Sequence, residues 1–342
     1  MTSREQVPVR RLALVLGGLL VSVLATWIVT RGVNLEDAWA IATQASPEWL
    51  LAALGVVTVQ TFLRAARWRA LLPARPPRAG RPSRPSIMRI VPVVLIGYLG
   101  NAVLPARLGE AARGVLVARR EDLPATGALG SVVIERVLDT LVLALLGIGA
   151  ALLIGVPDWI VRVALLGVLI SAAAVIGLSV APGLLHRLGG GRLGRVASGA
   201  LAVLHGANVS KRPRAIGLAL LLSALAWVLD ASIYWLVGRS VGVELTPFGA
   251  MLVATVTVLS TAVPAAPGYV GTFELAAVAA AGVLGVDPTT ALAFAVVAHA
   301  VAVLPIAIAG AVALAVVGVD ARLLTRGAGP GEHATSTVAG PP

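Results

Sequence analysis

A chain of 342 residues that is 58% hydrophobic and only 13% charged is too apolar for a soluble domain, which runs nearer half apolar with about a quarter charged; it is an integral membrane protein. Its net charge of +11 sits in loops between apolar runs rather than on an amphipathic face, which argues against nucleic acid and reports orientation in the bilayer instead. There is no cysteine and the four histidines (His186, His205, His299, His333) are scattered, so no disulfide frame, thiol nucleophile or metal-ligand spacing is present and no cofactor is expected.

Arg10 and Arg11 lead into the first apolar run, Leu12 to Thr30. At about 19 residues it exceeds the roughly 7–15 of a signal-peptide core. It reads as a retained first helix behind a cytoplasmic tail, 1–11. The second span is expected over 48–70. It ends in Arg64, Arg67, Trp68 and Arg69, where snorkelling arginines and an interfacial tryptophan belong. Arg69 reads as an interfacial anchor; Arg64 lies deeper and is expected to face a cavity. Pro73 to Pro85 is a Pro/Arg-rich, extended loop. The region 88–120 is apolar but interrupted. Spans follow at 126–156 and 159–181, then a flexible basic loop, 182–213, containing Gly189-Gly190-Gly191. A span at 214–238, a second interrupted region at 248–285, a last span at 290–318 and a disordered tail, 321–342, complete the chain.

The two interruptions resemble each other. The first is Leu99-Gly-Asn-Ala-Val-Leu-Pro-Ala-Arg-Leu-Gly-Glu110, and the second Leu259-Ser-Thr-Ala-Val-Pro-Ala-Ala-Pro-Gly-Tyr-Val-Gly-Thr-Phe-Glu274. Both read as a broken helix with a Pro-x-x-x-Gly turn and a glutamate close behind. Lipid does not tolerate free backbone amides and carbonyls, so such breaks survive only against protein or a water-filled cavity. Paired breaks at corresponding places point to a transport site. Taken as re-entrant hairpins, they leave only Arg31, Arg162 and Arg239 outside and Arg136 within a span; the rest of the 27 Lys and Arg are cytoplasmic, as the positive-inside bias prefers. The expected fold is an all-α polytopic protein of the plasma membrane with both termini cytoplasmic. It is an inverted repeat of two halves, 12–156 and 157–320, each with three spanning helices and one re-entrant hairpin.

An ionisable group at mid-bilayer costs on the order of 2.5–3.5 kcal/mol, so intramembrane charges mark candidate sites. Arg107, Glu110 and Arg113 share a helix face at three-residue spacing. Glu110 can pair with either arginine, leaving one guanidinium to hold a phosphate or carboxylate. Glu135, Arg136 and Asp139 would together cost roughly 7–10 kcal/mol unpaired, so they must be paired or solvated. Glu274 is grouped with Tyr269, Thr272, Asp230 and Tyr234; it has no counterpart of Arg107 and is a candidate proton carrier if burial raises its pKa. His299 stands alone in the last span and reads as a packing hydrogen bonder.

At Arg64-x-x-Arg67-Trp68, Asn101-x-x-x-Pro105-Ala-Arg107-x-Gly109-Glu110-x-x-Arg113, Glu135-Arg136-x-x-Asp139 and Pro267-Gly268-x-x-Gly271-x-x-Glu274, the chain resembles the transmembrane region of lysylphosphatidylglycerol synthases and their stand-alone, flippase-like relatives. The resemblance covers about residues 12–320 and implies movement of a lipid or lipid-linked group between leaflets. Bifunctional relatives carry a soluble aminoacyl-transfer domain after the membrane part. Only a short tail follows the last span here, so lysyl transfer is not expected and the chain is not expected to be an enzyme. The expected partners are membrane lipids, an anionic phospholipid or a polyprenyl-linked headgroup. Arg107, Arg113 and Arg136 are expected to attract the headgroup, with Asn101 completing the site; Arg64, Arg67, Glu110, Glu135, Asp139 and Glu274 are further candidate binding residues. The turns at Pro105 and Pro267-Gly268 complete the site, and Gly109 and Gly271 let the hairpins hinge or approach closely. Two other classes remain. One is a proton-coupled carrier of a small organic anion. The other is a membrane enzyme using Glu135 or Asp139 as general base, against which no nucleophile–base pair, metal motif or Gly-rich phosphate loop is found.

Single cysteines replacing Ala79 and Arg119 are expected to label from the same face of the membrane. Labelling from opposite faces contradicts the hairpin reading.

Overall fold

The computed structural model describes residues 6–75, 82–104, 108–156, 213–263 and 265–317, with isolated positions between 161 and 169; side chains are described from residue 16 onward. Among the described residues there is no strand. The apolar runs form helices α1 (Gln6–Thr30), α2 (Leu35–Thr43), α3 (Pro47–Leu71), α4 (Ile87–Val103), α5 (Leu108–Glu121), α6 (Ala125–Ile154), α7 (Pro213–Ser240), α8 (Pro247–Ser260), α9 (Thr272–Val283) and α10 (Pro288–Val317). The expected span 159–181, the loop 182–213 before Pro213 and the tail 321–342 lie outside the described residues but for the positions named above, as do Pro105 and Arg107.

Local chemistry sets the helix ends. The Asn34 side chain accepts from the Glu36 and Asp37 amides at 3.0 and 3.3 Å and so starts α2. Pro47 and Pro247 occupy first-turn positions, where the missing N–H costs nothing. Thr246 accepts from the Gly249 amide at 3.0 Å. Asp287 receives the Thr289 and Thr290 amides at 3.1 and 3.0 Å ahead of α10. The helix α2 was not anticipated from the sequence. It bends from α1 by 92° at the left-handed Gly32.

Length separates two kinds of helix. α3, α6, α7 and α10 have 25, 30, 28 and 30 residues, and are long and apolar enough to cross a membrane; the bent pair α1–α2 would be a fifth span. α4, α5, α8 and α9 have 17, 14, 14 and 12 residues. At 1.5 Å per residue each of these reaches only about 18–26 Å, short of a hydrocarbon core of about 30 Å. α4 packs against α5 and α8 against α9, so each interrupted region is a pair of short helices laid side by side.

The most extensive helix contact is α3 on α7. They run antiparallel: the Ser46 amide before α3 donates to the Ser240 carbonyl ending α7 at 2.8 Å, while Leu71 at the end of α3 packs near Ala219 early in α7. α4 lies on α10, and α8 lies on α6. One apolar core joins Val57, Val237, Ala254, Phe273 and Phe294. Another joins Trp68, Ile90, Val93, Val117 and Ala128. Outside these cores stand large exposed apolar side chains such as Leu152, Leu153, Ile308 and Val316, the surface expected of a protein solvated by lipid.

Small residues set the closest approaches. A methyl group at Gly109 would collide with the Gly97 carbonyl oxygen across the α4–α5 contact. At Gly147 it would stand 2.5 Å from Thr255 of α8, and at Gly310 2.6 Å from the Leu95 carbonyl of α4. Gly109 therefore serves close approach. We expect Gly109→Ala to lower stability by about 1–3 kcal/mol through overpacking, read as a lower unfolding midpoint in detergent. Gly149→Ala, with nothing within 4 Å, is the matched control and should be neutral; equal behaviour of the two variants contradicts this packing account.

Candidate functional site

Three long helices each aim one polar face inward. Gln60, Arg64 and Arg67 on α3, and Ser223, Trp227 and Asp230 on α7, follow the i, i+4, i+7 spacing of a single helix face. α6 brings Glu135, Arg136 and Asp139. The short helices α4 and α5 bring Tyr98, Asn101, Glu110 and Arg113.

Arg67 is the centre of this cluster. Its guanidinium forms a two-pronged pair with Asp139, one prong at 3.0 Å, meets Glu135 at 2.5 Å and donates to the Ser223 hydroxyl at 3.1 Å. Glu135 also receives Arg113 at 3.0 Å and Arg136 at 3.1 Å. Arg113 lies over the Trp68 ring, 4.6 Å from its centroid, and the Trp68 indole donates to Ser131 at 3.0 Å. Arg136 continues to Asp139 at 2.9 Å and to Glu110 at 3.4 Å. A second pair flanks the first: Arg64 meets Asp230 at 3.2 Å, and Gln60 donates to the same carboxylate at 2.8 Å. Arg64 also lies over the Trp227 ring at 5.1 Å.

Four arginines thus face four carboxylates among the described residues, which is the neutrality a low-dielectric site demands. The cluster has a dry centre and a wetter rim. The side chains of Arg67 and Glu135 are 2% and 0% exposed, while Arg64 and Arg136 are 19% and 30% exposed. Within the described residues, Arg64 Nε, Trp227 Nε1 and Asn101 Oδ1 are buried without a hydrogen-bond partner. The rim therefore keeps polar capacity that the protein itself does not use.

The second hairpin builds a separate polar point. Glu274 accepts the Gly271 amide at 2.7 Å and meets His299 Nδ1 at 2.5 Å. His299 Nε2 reaches the Gly268 carbonyl at 2.8 Å, and Phe273 stacks on the imidazole at 4.2 Å. The turn Pro267–Tyr269 is left-handed at Gly268 (φ 75°) and Tyr269 (φ 61°). Gly271 (φ 86°) sits where a methyl would stand 2.5 Å from the Ser22 carbonyl of α1, and Ser22 receives the Ala266 amide at 2.8 Å.

The geometry adds to the groupings expected from sequence and redraws some of them. Arg113 bonds Glu135. Glu110 reaches Arg136, and its expected alternative, Arg107, lies outside the described residues. Asp230 belongs with Arg64 and Gln60, not with Glu274. His299 is not alone but joined to Glu274. Gln60, Tyr98, Ser223 and Trp227 were missed; the spacing of Ser223, Trp227 and Asp230 on one helix face was the available signal. Arg107 and Pro105, expected at the first turn, lie outside the described residues.

Removing one partner of a buried ion pair strands the other charge at a cost of about 3–5 kcal/mol. We expect Arg67→Leu to lose about that much stability in detergent unfolding, and Arg67→Leu combined with Asp139→Leu, which removes one charge of each sign and leaves Glu135 to Arg113 and Arg136, to recover part of it. No loss in the single variant contradicts the assigned centre.

Residues 15–310 match the family described as Lysylphosphatidylglycerol synthase TM region. Among curated proteins, Glycosyltransferase AglD of Haloferax volcanii is 25% identical over 336 residues, covering 86% of this chain and 53% of the relative. The chain thus spans about half the length of the curated relative it matches. The family match extends over most of the chain and takes in all four charged motifs. The protein is an all-helical, multi-pass membrane protein that belongs to the lysylphosphatidylglycerol synthase transmembrane-region family.

Proposed function

We propose that this chain moves an anionic lipid, or a lipid-linked anionic headgroup, between the leaflets of the plasma membrane, with the polar cluster as headgroup route and the tails left in lipid. The observation that carries the reading is the rim of the cluster. Arg64 and Arg136 are part-exposed guanidiniums inside an apolar helix bundle, and guanidinium forks suit phosphate oxygens. A cluster already neutral on its own binds an anion by exchange: the phosphate takes Arg136 donors as Glu110 gives way.

An inverted repeat, with α4–α5 and α8–α9 as half-crossing hairpins, supplies the path. Several facts support it. The order long, short, short, long of α3–α6 recurs in α7–α10. α3 and α7 are antiparallel, and Arg64 and Asp230, which pair, are each the eighteenth residue of their helix. Equivalent positions meet in this way only across an approximate twofold axis. The contact of Gly147 with Thr255 is mirrored by that of Gly310 with Leu95. Gly147 and Gly310 are each the twenty-third residue of α6 and α10, and Leu95 and Thr255 the ninth of α4 and α8.

Both termini are assigned to the cytoplasm by the loop charges. The chain is assigned no bond chemistry of its own. The Haloferax relative is named a glycosyltransferase, and a sugar-bearing headgroup is one class of cargo that this reading admits.

The test is leaflet transfer of a fluorescent anionic phospholipid in proteoliposomes. Arg136→Gln and Arg64→Gln should each lower the rate by about tenfold or more, the worth of a charge-assisted hydrogen bond, with the folded yield unchanged. Full transfer by both variants removes the reading. Uptake of soluble organic anions without lipid transfer would favour a small-solute carrier instead.

A further inference from the structure

Helix register relates the second polar point to the first. Glu110 and Glu274 are each the third residue of α5 and α9, and Arg136 and His299 are each the twelfth residue of α6 and α10. The pairs Glu110–Arg136 and Glu274–His299 are therefore the same contact in the two halves. In the first the cation is an arginine, which never gives up its proton in a protein. In the second it is a histidine, whose ring can carry one proton or two.

The bonds around His299 call for an extra proton. Both ring nitrogens face acceptors, Nδ1 the Glu274 carboxylate and Nε2 the Gly268 carbonyl. A neutral imidazole has one N–H and can satisfy only one of them. The other Glu274 oxygen already accepts the Gly271 amide. Both contacts are made together only when the Glu274–His299 unit holds one proton more than a neutral histidine beside an ionised glutamate.

We propose that Glu274, His299 and the Gly268 carbonyl form a proton-binding site that latches the turn of the second hairpin onto α10, and that loss of the proton frees the turn. This deepens the translocase reading, and rests on it, by naming the proton as the ligand that controls one of the two hairpins. The bound proton bridges the hairpin and α10. When it leaves for solvent, one of the two acceptors loses its donor and the turn is held at one point fewer. Among the described residues the turn also bonds a neighbouring helix where Ser22 accepts from the Ala266 amide, and that bond carries no charge.

Elements packed on α10 carry other titratable groups: Arg89 and Tyr98 on α4, Glu36 and Asp37 on α2, Asp230, Tyr234 and two arginines on α7, Glu48 and the arginines on α3, and Tyr269 on the turn itself. Among the described residues none of these bonds His299. Tyr234 comes nearest in the aromatic stack, its ring 6.5 Å from Phe273, which in turn covers the imidazole. Glu274 is thus the charged partner whose state is tied to His299.

The chain has no cysteine, so single thiols report cleanly. Val270→Cys, on the exposed part of the turn, is labelled in nanodiscs from about pH 5 to about pH 9, with Leu35→Cys, exposed on α2, correcting for thiol ionisation. Corrected labelling should rise about tenfold with pH, as one charge-assisted bond is lost. His299→Gln, which cannot take the extra proton, should label at the high level throughout. His299→Arg, a permanent donor, should label at the low level throughout. A flat profile in the His299 protein, or an unaltered titration in His299→Gln, overturns the proposal; unchanged unfolding midpoints identify the variants as folded. Lipid transfer is followed in the same samples. Titrating labels without transfer would remove the translocase reading and leave the proton site standing, whereas transfer with flat labels would do the reverse.

Discussion

A guanidinium in hydrocarbon must be answered by carboxylates, and the arrangement of this protein follows from how Arg67 is answered. Its partners Glu135 and Asp139 stand one turn apart on α6, so α3 and α6 are fixed to each other in rotation as well as position. Glu135 then recruits Arg113 from α5 and Arg136 from its own helix. Breaking the contacts of Arg67 or Arg113 with Glu135 leaves charge without a partner where water cannot repair it. The network is thus a constraint on geometry first, and its net contribution to stability is small beside its cost when incomplete.

Around this fixed centre the short helices are held by packing that tolerates no added atoms. Gly97, Gly100 and Gly109 bring α4 and α5 together, and Gly271 brings the second turn against α1. The turn Pro267–Tyr269 also packs against α4. The second hairpin thereby reaches the helix that carries Tyr98 and Asn101. The two short-helix pairs differ in the chemistry beside them: α6 sets an arginine, whose charge is permanent, against Glu110, while α10 sets a histidine against Glu274.

Much of the fold was legible because lipid reduces the problem to length and interruption. The runs over 48–70, 126–156, 214–238 and 290–318 became α3, α6, α7 and α10 within a few residues at each end. The breaks near Leu104 and Pro267 were visible as proline and glycine within apolar sequence. The short α2 was missed because its signal is an asparagine cap, not a long apolar run. Side-chain partners were less legible. Spacing rules read contacts within one helix, and the Arg136–Asp139 pair, three residues apart on α6, is of that kind. The Arg67–Glu135, Arg64–Asp230 and Glu274–His299 pairs join different helices and depend on crossing points that no local pattern encodes. Helix register points to the last of these, because His299 holds in α10 the position that Arg136 holds in α6.

The claim on which the account turns is that a lipid headgroup enters the bundle and meets the rim of the charged cluster. The most direct measurement is photo-crosslinking by a phospholipid with a reactive group on its phosphate headgroup, read by mass spectrometry of the purified protein in nanodiscs. The account predicts adducts on Tyr98, Asn101, Arg136 and Trp227, reduced by excess unlabelled anionic lipid. Adducts confined to lipid-facing residues such as Leu152, Ile308 and Val316, unaffected by competitor, would contradict it.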